Sequence, residues 1–361
     1  MSSSEKFEGW VSMNDDDHQK GTMEWKEYTP KNFTDDDVQM DIICCGICYS
    51  DISTMSAGWG PPIRPLVVGH EIVGTITKVG KNVKHVKEGE RGGVGAQSDS
   101  CRSCHMCDQQ LESYCANGMT GTYNGKYTNG SGNSFGGYAT KWRGPGHFVI
   151  PVPDGLESHV AAPLMCGGVT IYSPLKRYGC GNPDVQTVGI VGIGGIGAFG
   201  LAFAKALGAK NVVAIGHSPN KKDVAMELGA TDYISTGDGK TNPLLEKYHK
   251  KMDLIIVTAN NADQRYDYLV QSLRPGGHVI AIAVPEKPVM PIPMGAILFS
   301  GGNIGGSAIG APSQIAEMLQ LAADKKPNFM IQKRKMSEAN QAVQDMVAGK
   351  PRFRYCLING E

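Results

Sequence analysis

Thr187-Val-Gly-Ile-Val-Gly192-Ile193-Gly194-Gly195-Ile196-Gly197 decides how the second half of this chain folds. Thr187–Val191 is a short apolar run with the length of a buried strand. Gly192, Gly194 and Gly197 follow at once, and the alanine-rich run Ala198–Leu207 predicts a helix ending at Gly208. A G-x-G-x-x-G string alone is weak evidence. Between a strand and a helix it marks a dinucleotide site, because the free N–H groups of the helix N-terminus then face a pyrophosphate. The alternative is a glycine turn that only packs helix against strand.

Downstream the pattern repeats. Asn211–Ile215, Tyr233–Ser235, Asp253–Thr258, His278–Val284 (after the turn Arg274–Gly277) and Ile304–Ile309 read as further strands between helical stretches. The expectation is a parallel sheet with crossover helices. The second strand runs into Gly216-His217-Ser218-Pro-Asn-Lys221-Lys222. Folds that bind NAD place an acid here to hold the ribose 2′-hydroxyl. None stands before Asp223. A hydroxyl, an imidazole and two ammonium groups attract a 2′-phosphate instead, which predicts NADP. The alternative for Lys221 and Lys222 is a solvated helix face.

Upstream, Pro65-Leu-Val-Val-Gly-His70-Glu71-Ile-Val-Gly74 sets an imidazole and a carboxylate side by side. Cys48 lies 22 residues before His70, and Cys166 lies 95 residues after Glu71. Two thiolates and an imidazole make a zinc site with a fourth position left for water or substrate. The alternative is a buried Gly-His-Glu turn with no metal. Ser50 and Asp51 follow Cys48 where a turn leads into a short helix. Ser50 is placed to pass a proton and Asp51 to orient the imidazole, or both serve as helix N-caps. Cys101, Cys104, Cys107 and Cys115, spaced C-x2-C-x2-C-x7-C, wrap one tetrahedral ion and predict a structural zinc. Four thiolates also suit an iron–sulfur cluster, but the last spacing does not match the ferredoxin runs. Disulfide pairing is the other alternative.

Around these motifs, residues 66–97 carry short valine- and glycine-rich runs with the texture of a small β-barrel. Val38–Cys45, Phe148–Val152 and the tail Arg352–Ile358 read as further strands, and residues 1–35 as polar, partly β material. Ser313–Ala323 and Ser337–Val347 read as helices. A length of 361 residues suggests about two domains. The formal net charge is zero, which argues against nucleic acid or a membrane surface as main partner. No apolar run reaches 18 residues, and the acidic start (Asp15, Asp16, Asp17) lacks a secretion pattern, so a cytoplasmic protein is expected. Ten cysteines then point to metal binding in a reducing compartment, with Cys44, Cys45, Cys180 and Cys356 as small core residues.

Together these motifs resemble the medium-chain, zinc-dependent alcohol dehydrogenases, above all their cinnamyl alcohol dehydrogenase-like branch with its broad-specificity NADP-dependent fungal enzymes. The likeness runs from about Glu5 to Ile358. Its marks include Gly46-Ile-Cys48-Tyr-Ser50-Asp51, the His70-Glu71 stretch, the four-cysteine loop, Ala161-Ala-Pro-Leu-Met-Cys166-Gly-Gly-Val-Thr170, and Gly192–Gly197.

The resemblance implies a GroES-like β-barrel catalytic domain over residues 1–157 and 310–361, and a Rossmann domain over 158–309. It implies two zinc ions per chain, NADP(H), a small alcohol or aldehyde substrate, and a homodimer. Cys48, His70 and Cys166 would hold the catalytic zinc, with Glu71 as an alternative ligand. Ser50 would bond the substrate oxygen, Thr170 would back the nicotinamide, and Ser218, Lys221 and His217 would sit at the 2′-phosphate. Arg354 would contact the cofactor phosphates. Thr258, Ser307, Ala308 and Ile309 would lie near the nicotinamide ribose and carboxamide, and Trp59 would wall the substrate pocket. Two residues depart from the pattern: Ser53 stands where most relatives carry a relay histidine, and Thr120 where plant members have a bulky aromatic. The implied reaction interconverts primary alcohols and aldehydes of aliphatic, benzylic and cinnamyl type, with zinc as Lewis acid. A polyol or sugar dehydrogenase, or a catalytically dead NADPH sensor on the same scaffold, are the competing readings.

Overall fold

In the computed structural model, residues 5–237, 242–259, 264–283 and 292–360 are described. The chain divides into two compact units. The first comprises Met1–Val169, Gly310–Asp324 and Ile331–Glu361; the second comprises Thr170–Ile309 and Lys325–Met330.

The first unit is built on the ten-residue strand Asp37–Gly46, nearly all of whose residues are buried. Ile72–Val79, Lys141–Pro145 and Arg354–Ile358 all pair with it antiparallel. Ile331–Lys335, Arg91–Val94 and Ile150–Pro151 complete the seven-stranded sheet. Val38, Met40, Ile42, Ile72, Ile76 and Trp142 pack in its core. Each such side chain contributes about 1.5–3 kcal/mol on burial. The expected strand Phe148–Val152 shrinks to Ile150–Pro151. The longer strand Lys141–Pro145 reads Lys-Trp-Arg-Gly-Pro, and one apolar side chain, Trp142, gave too little alternation to find it. Ile331–Lys335 was hidden by its charges, which suit a strand at the sheet's edge.

The second unit holds six parallel strands in the order Asp232–Ser235, Asn211–Gly216, Thr187–Val191, Met252–Val257, Leu273–Ala281, Asn303–Gly306. The order reverses beside Thr187–Val191, and the crevice at such a reversal is where ligands bind in open parallel sheets. The expected turn Arg274–Gly277 lies within the strand Leu273–Ala281, where pairing jumps from Met252↔Leu273 to Leu254↔His278. Val284, the last residue of the strand expected there, lies outside the described residues.

The expected domain edge at 157/158 falls inside the first unit, which continues through the helix Ser158–Pro163 and the π turn Leu164–Gly168. The sequence changes texture where this helix begins, but the helix packs against Asp37–Gly46 and Ile72–Val79, so the core changes later. The consequence is that Cys166 belongs to the same unit as Cys48 and His70.

Asp17 ties the N-terminal segment of this unit. Its carboxylate accepts the N–H groups of Met13 at 2.8 Å and Asn14 at 2.9 Å and the hydroxyls of Ser12 at 3.0 Å and Thr22 at 2.6 Å. Burial pushes its pKa up, but the bonds from Thr22, Asn14, Met13 and Ser12 outweigh this and bring it from 3.8 down to about 2. A depressed pKa stabilises the fold above the ordinary value and loses that stabilisation as pH falls through the folded one. Asp17→Asn is expected to lower stability at pH 7 by about 1–3 kcal/mol in urea unfolding. The gap to wild type should narrow as pH approaches about 2. A gap independent of pH would remove the ionised carboxylate from this account.

Candidate active site

Cys48 sits at the start of the helix Tyr49–Met55, directly after the long strand Asp37–Gly46. His70 and Glu71 precede the strand Ile72–Val79, and Cys166 lies inside the π turn Leu164–Gly168. π turns recur at functional sites because the extra residue redirects a side chain. Within the first unit these segments bring one ligand atom each from Cys48, His70, Glu71 and Cys166 to within 4.8 Å of one another, all buried. His70 Nε2 lies 3.2 Å from Cys166 Sγ. Ligand bonds of about 2.0–2.3 Å to a shared tetrahedral ion place neighbouring donor atoms about 3.3–3.8 Å apart. The set therefore fits zinc.

Asp51 serves both roles that its position allowed. It accepts the Cys48 N–H at 3.0 Å as a helix cap, and its other oxygen lies 3.0 Å from His70 Nδ1. A carboxylate on Nδ1 fixes the ring and leaves Nε2 for a metal. The Cys48 thiol is held well below its ordinary range, first by the hydrogen bond from Cys166, against burial and with His70 and Arg354 adding positive charge. At His70 burial favours the neutral ring, but the charges of Asp51 and Cys48 outweigh it and raise its pKa well above the usual value. The field at Nε2 thus favours a positive charge, whether proton or metal ion.

Arg354 meets a partner that the sequence did not point to. It opens the strand Arg354–Ile358, is buried, and forms an ion pair with Glu71 inside the first unit. Gly46 makes room for this arrangement, since a Cβ there would stand 2.1 Å from Glu71 Oε2. Burial pushes the Glu71 carboxyl up to about 7, against the pull of Arg354. Ser50 Oγ lies 3.5 Å from Cys48 Sγ. Trp59 is 61% exposed in the turn after the Ser50 helix, and Ser53 spends its carbonyl on Ser56 and Gly58. Thr120 is buried with its hydroxyl on the Lys126 carbonyl. Tyr123 and Tyr138, which sequence reasoning missed, place hydroxyls beside His70 and Asp51. No motif marks a lone tyrosine in a Gly- and Asn-rich loop.

In the four-cysteine loop the sulfurs of Cys104 and Cys107 are 3.6 Å apart, Cys104 and Cys115 3.9 Å, and Cys101 and Cys115 3.4 Å. A disulfide requires about 2.05 Å, whereas four sulfurs about 2.3 Å from one zinc stand about 3.8 Å apart. N–H groups turned toward the sulfurs favour thiolates. The Ser103 N–H, followed by the Asn117 side chain, brings Cys101 down to about 5. The Cys107 and Ala116 N–H groups lower Cys104. Burial instead pushes Cys107 up to about 11.

In the second unit the three fingerprint glycines answer to different constraints. Gly192 has φ of +88°, and a Cβ at Gly197 would stand 1.9 Å from the Gly192 carbonyl oxygen. A Cβ at Gly194 would meet nothing within 4 Å, so that position leaves a ligand room to approach the backbone. Gly195 and Ile196 open the helix Gly195–Ala206, and Ile193 lies in the turn before it. The Lys221 ammonium donates to the Ile193 carbonyl at 2.8 Å, and Ser218 Oγ caps Asn220 at 3.3 Å. His217 is exposed beside them. The Thr258 hydroxyl is committed to the Val191 and Gly192 carbonyls at 3.0 and 2.9 Å, so it braces the turn. Thr170 is buried in the helix Val169–Arg177. Ser307 is buried, with no partner for its hydroxyl among the described residues, next to Ala308 and to Ile309, whose φ is +39°.

Residues 34–154 match the alcohol dehydrogenase GroES-like domain, and residues 195–324 match the zinc-binding dehydrogenase domain. NADP-dependent alcohol dehydrogenase 6 of Saccharomyces cerevisiae is 39% identical over 99% of this chain and 98% of its own. Cinnamyl alcohol dehydrogenase 2 of Arabidopsis thaliana is 35% identical over 97% of this chain and 90% of its own. The chain belongs to the zinc-dependent medium-chain alcohol dehydrogenases. Within that family it falls in the cinnamyl alcohol dehydrogenase-like branch. The solved cinnamyl alcohol dehydrogenase of Sorghum bicolor superposes with a TM-score of 0.89 at 31% identity, covering 98% of both chains. The enzyme from Helicobacter pylori, solved with NADP(H), gives 0.84 at 27% identity, again over 98% of both.

Native mass spectrometry of this alcohol dehydrogenase is expected to show two zinc ions per chain. Cys104→Ser should remove one and leave the other. Loss of both together, or retention of both, would contradict two independent metal sites.

Proposed function

We propose that this enzyme interconverts primary alcohols and aldehydes of aliphatic, benzylic and cinnamyl type with NADP(H). The convergence of Cys48, His70, Glu71 and Cys166 on one point carries this reading. The name of the yeast relative and the bound cofactor of the Helicobacter structure support NADP, as does the absence of an acid between Gly216 and Lys222.

Bound zinc supplies a positive charge for the substrate oxygen, and the reduced nicotinamide supplies hydride. The chain's residues do the rest. Cys48, His70 and Cys166 hold the ion, with Asp51 fixing the ring of His70. Ser50 Oγ passes the proton that completes the alcohol when an aldehyde is reduced. Ser53 offers no imidazole beyond it, so that proton exchanges with solvent through water. Glu71, neutralised by Arg354, stands by as a fourth ligand. Gly194 and the helix behind it take the pyrophosphate, and Lys221, Ser218 and His217 take the 2′-phosphate.

The test is a panel of aliphatic, benzylic and cinnamyl aldehydes with both cofactors. NADPH is expected to give the higher kcat/KM throughout. Lys221→Glu should narrow the gap by about tenfold or more, as one lost charge-assisted contact of about 1.5–3 kcal/mol allows. Ser50→Ala should lower kcat with both zincs retained. Equal kcat/KM for NADPH and NADH would sink the cofactor assignment.

A homodimer is part of the same proposal. The helix Met294–Ser300 presents Met294, Leu298 and Phe299, at 66%, 70% and 85% exposure. Asn303–Gly306 lies at the end of the six-stranded sheet just after it. An apolar face of this kind next to a sheet edge favours a second copy of the same chain. Phe299→Asp should shift sedimentation toward the monomer. A variant that sediments with wild type would place the interface elsewhere.

A further inference from the structure

Asp51 is fully buried, and its carboxylate stands in a ring of donors. One oxygen accepts the Gly69 N–H at 3.2 Å and lies 3.0 Å from His70 Nδ1. The other accepts the Cys48 N–H at 3.0 Å and the Tyr138 hydroxyl at 3.0 Å. The Tyr123 hydroxyl lies 3.1 Å from His70 Nδ1, and its ring is tilted on the imidazole with centroids 5.5 Å apart. Tyr138 is completely buried and Tyr123 is 8% exposed. The Tyr138 ring also presses on the residue before His70, since a Cβ on Gly69 would come within 2.5 Å of it.

Two of Asp51's donors are backbone groups of the metal-binding segments themselves. They tie one carboxylate oxygen to Cys48 and the other to Gly69, and Tyr138 adds a second donor on the oxygen that Cys48 holds. The tyrosine hydroxyls come from a different part of the chain and bear on the carboxylate and the ring from outside. Removing the Tyr138 hydroxyl leaves that oxygen with the Cys48 N–H alone, in a site that water does not reach, and lets the carboxylate shift toward it. The imidazole follows the carboxylate, so Nε2 leaves its line toward Cys166.

We propose that Tyr138 and Tyr123 are positioning residues for the catalytic zinc. Tyr138 pins the Asp51 carboxylate, Tyr123 sets its hydroxyl beside the same Nδ1 that Asp51 faces and its ring against the imidazole, and both act on the ion through His70. The inference rests on reading Cys48, His70 and Cys166 as its ligands. Loss of such outer partners costs about 10- to 100-fold in metal affinity.

The experiment follows zinc release from the full-length protein to a chromophoric chelator, without substrate. The four-cysteine zinc serves as internal control. Tyr138→Phe keeps the ring and removes one hydroxyl. It is expected to release one zinc about 10- to 100-fold faster, while the other leaves at the wild-type rate. Tyr123→Phe should act in the same direction, and the double variant should be faster than either. In cobalt-substituted protein the visible bands of one site should shift and those of the other should not. Both ions leaving at wild-type rates in the single and double variants would overturn the proposal. So would equal acceleration of both ions, which indicates general loosening. Should Tyr138→Phe fail to fold, Tyr123→Phe alone decides by the same criterion. A wild-type protein that holds only one zinc overturns the zinc reading itself and this inference with it.

Discussion

The structure of the first unit depends on gathering negative charge where water cannot screen it. With a metal ion held there, Cys48 and Cys166 would both be thiolates; together with Asp51 and Glu71 as carboxylates they would give four negative charges, and Arg354 returns one positive, leaving three. A divalent ion reduces that to one. Such a cluster is unstable without a counter-ion, because attraction between buried charges must offset a desolvation cost of several kcal/mol per ion. Burial raises the Glu71 carboxyl against the pull of Arg354, and the guanidinium offsets its charge where water cannot. The ion pair with Arg354 is therefore part of the metal's charge balance. It also explains why the last strand of the chain returns to Asp37–Gly46: that strand delivers the cation.

Two metal sites of different character are built by different means. The four-cysteine loop closes within 15 residues, so its ligand set is written in one stretch of sequence and needs only local turns. Its N–H groups turn toward sulfur because a short loop around an ion has few other acceptors for them. The proposed catalytic set draws on three separated segments, which the sheet and the helix packed on it bring together. Cys48 follows the end of one long strand, and His70 and Glu71 lead into its antiparallel neighbour, where Cys45 pairs with Ile72. A slip of one residue in that register would turn the ligands to the other face. The buried, bulged pairing of these strands is thus a condition for the chemistry as well as for the core.

This difference governs what was legible. The strand–glycine–helix turn, the parallel order of the second unit and the four-cysteine loop rest on local periodicity and spacing, and the residues announce them. Asp51 was legible in both roles because capping and ring orientation make the same demand on a short acidic side chain. Arg354 was not, since its partner Glu71 is 283 residues away and no local pattern links them. Tyr123 and Tyr138 carry no signal of their own, because a tyrosine in a glycine-rich loop reads the same whether its hydroxyl meets water or a buried carboxylate. The division into compact units falls later than the change of texture for a related reason: helical texture at Ser158 reports local structure, while the core it joins is set by packing.

The second unit shows how an exposed cation can be given selectivity. A free lysine spends rotamer entropy of about 1.5–2 kcal/mol when a ligand immobilises it. Lys221 is already anchored, with its ammonium on the Ile193 carbonyl at 2.8 Å. Ile193 lies between Gly192 and Gly194, so this bond ties the positive charge to the glycine turn at the helix start. The Tyr233 hydroxyl donates to the Ser218 carbonyl at 2.5 Å and steadies the neighbouring strand end from the opposite side. On the proposed binding mode, the two ends of an adenosine 2′-phosphate ligand would thus meet groups already fixed to one another before binding. Less ordering remains to be done on binding, and more of the charge attraction appears as affinity. The same coupling means that a change at Lys221 loosens the glycine turn as well as removing a charge. On the proposed binding mode, cofactor preference and pyrophosphate binding are for that reason a single mechanical unit.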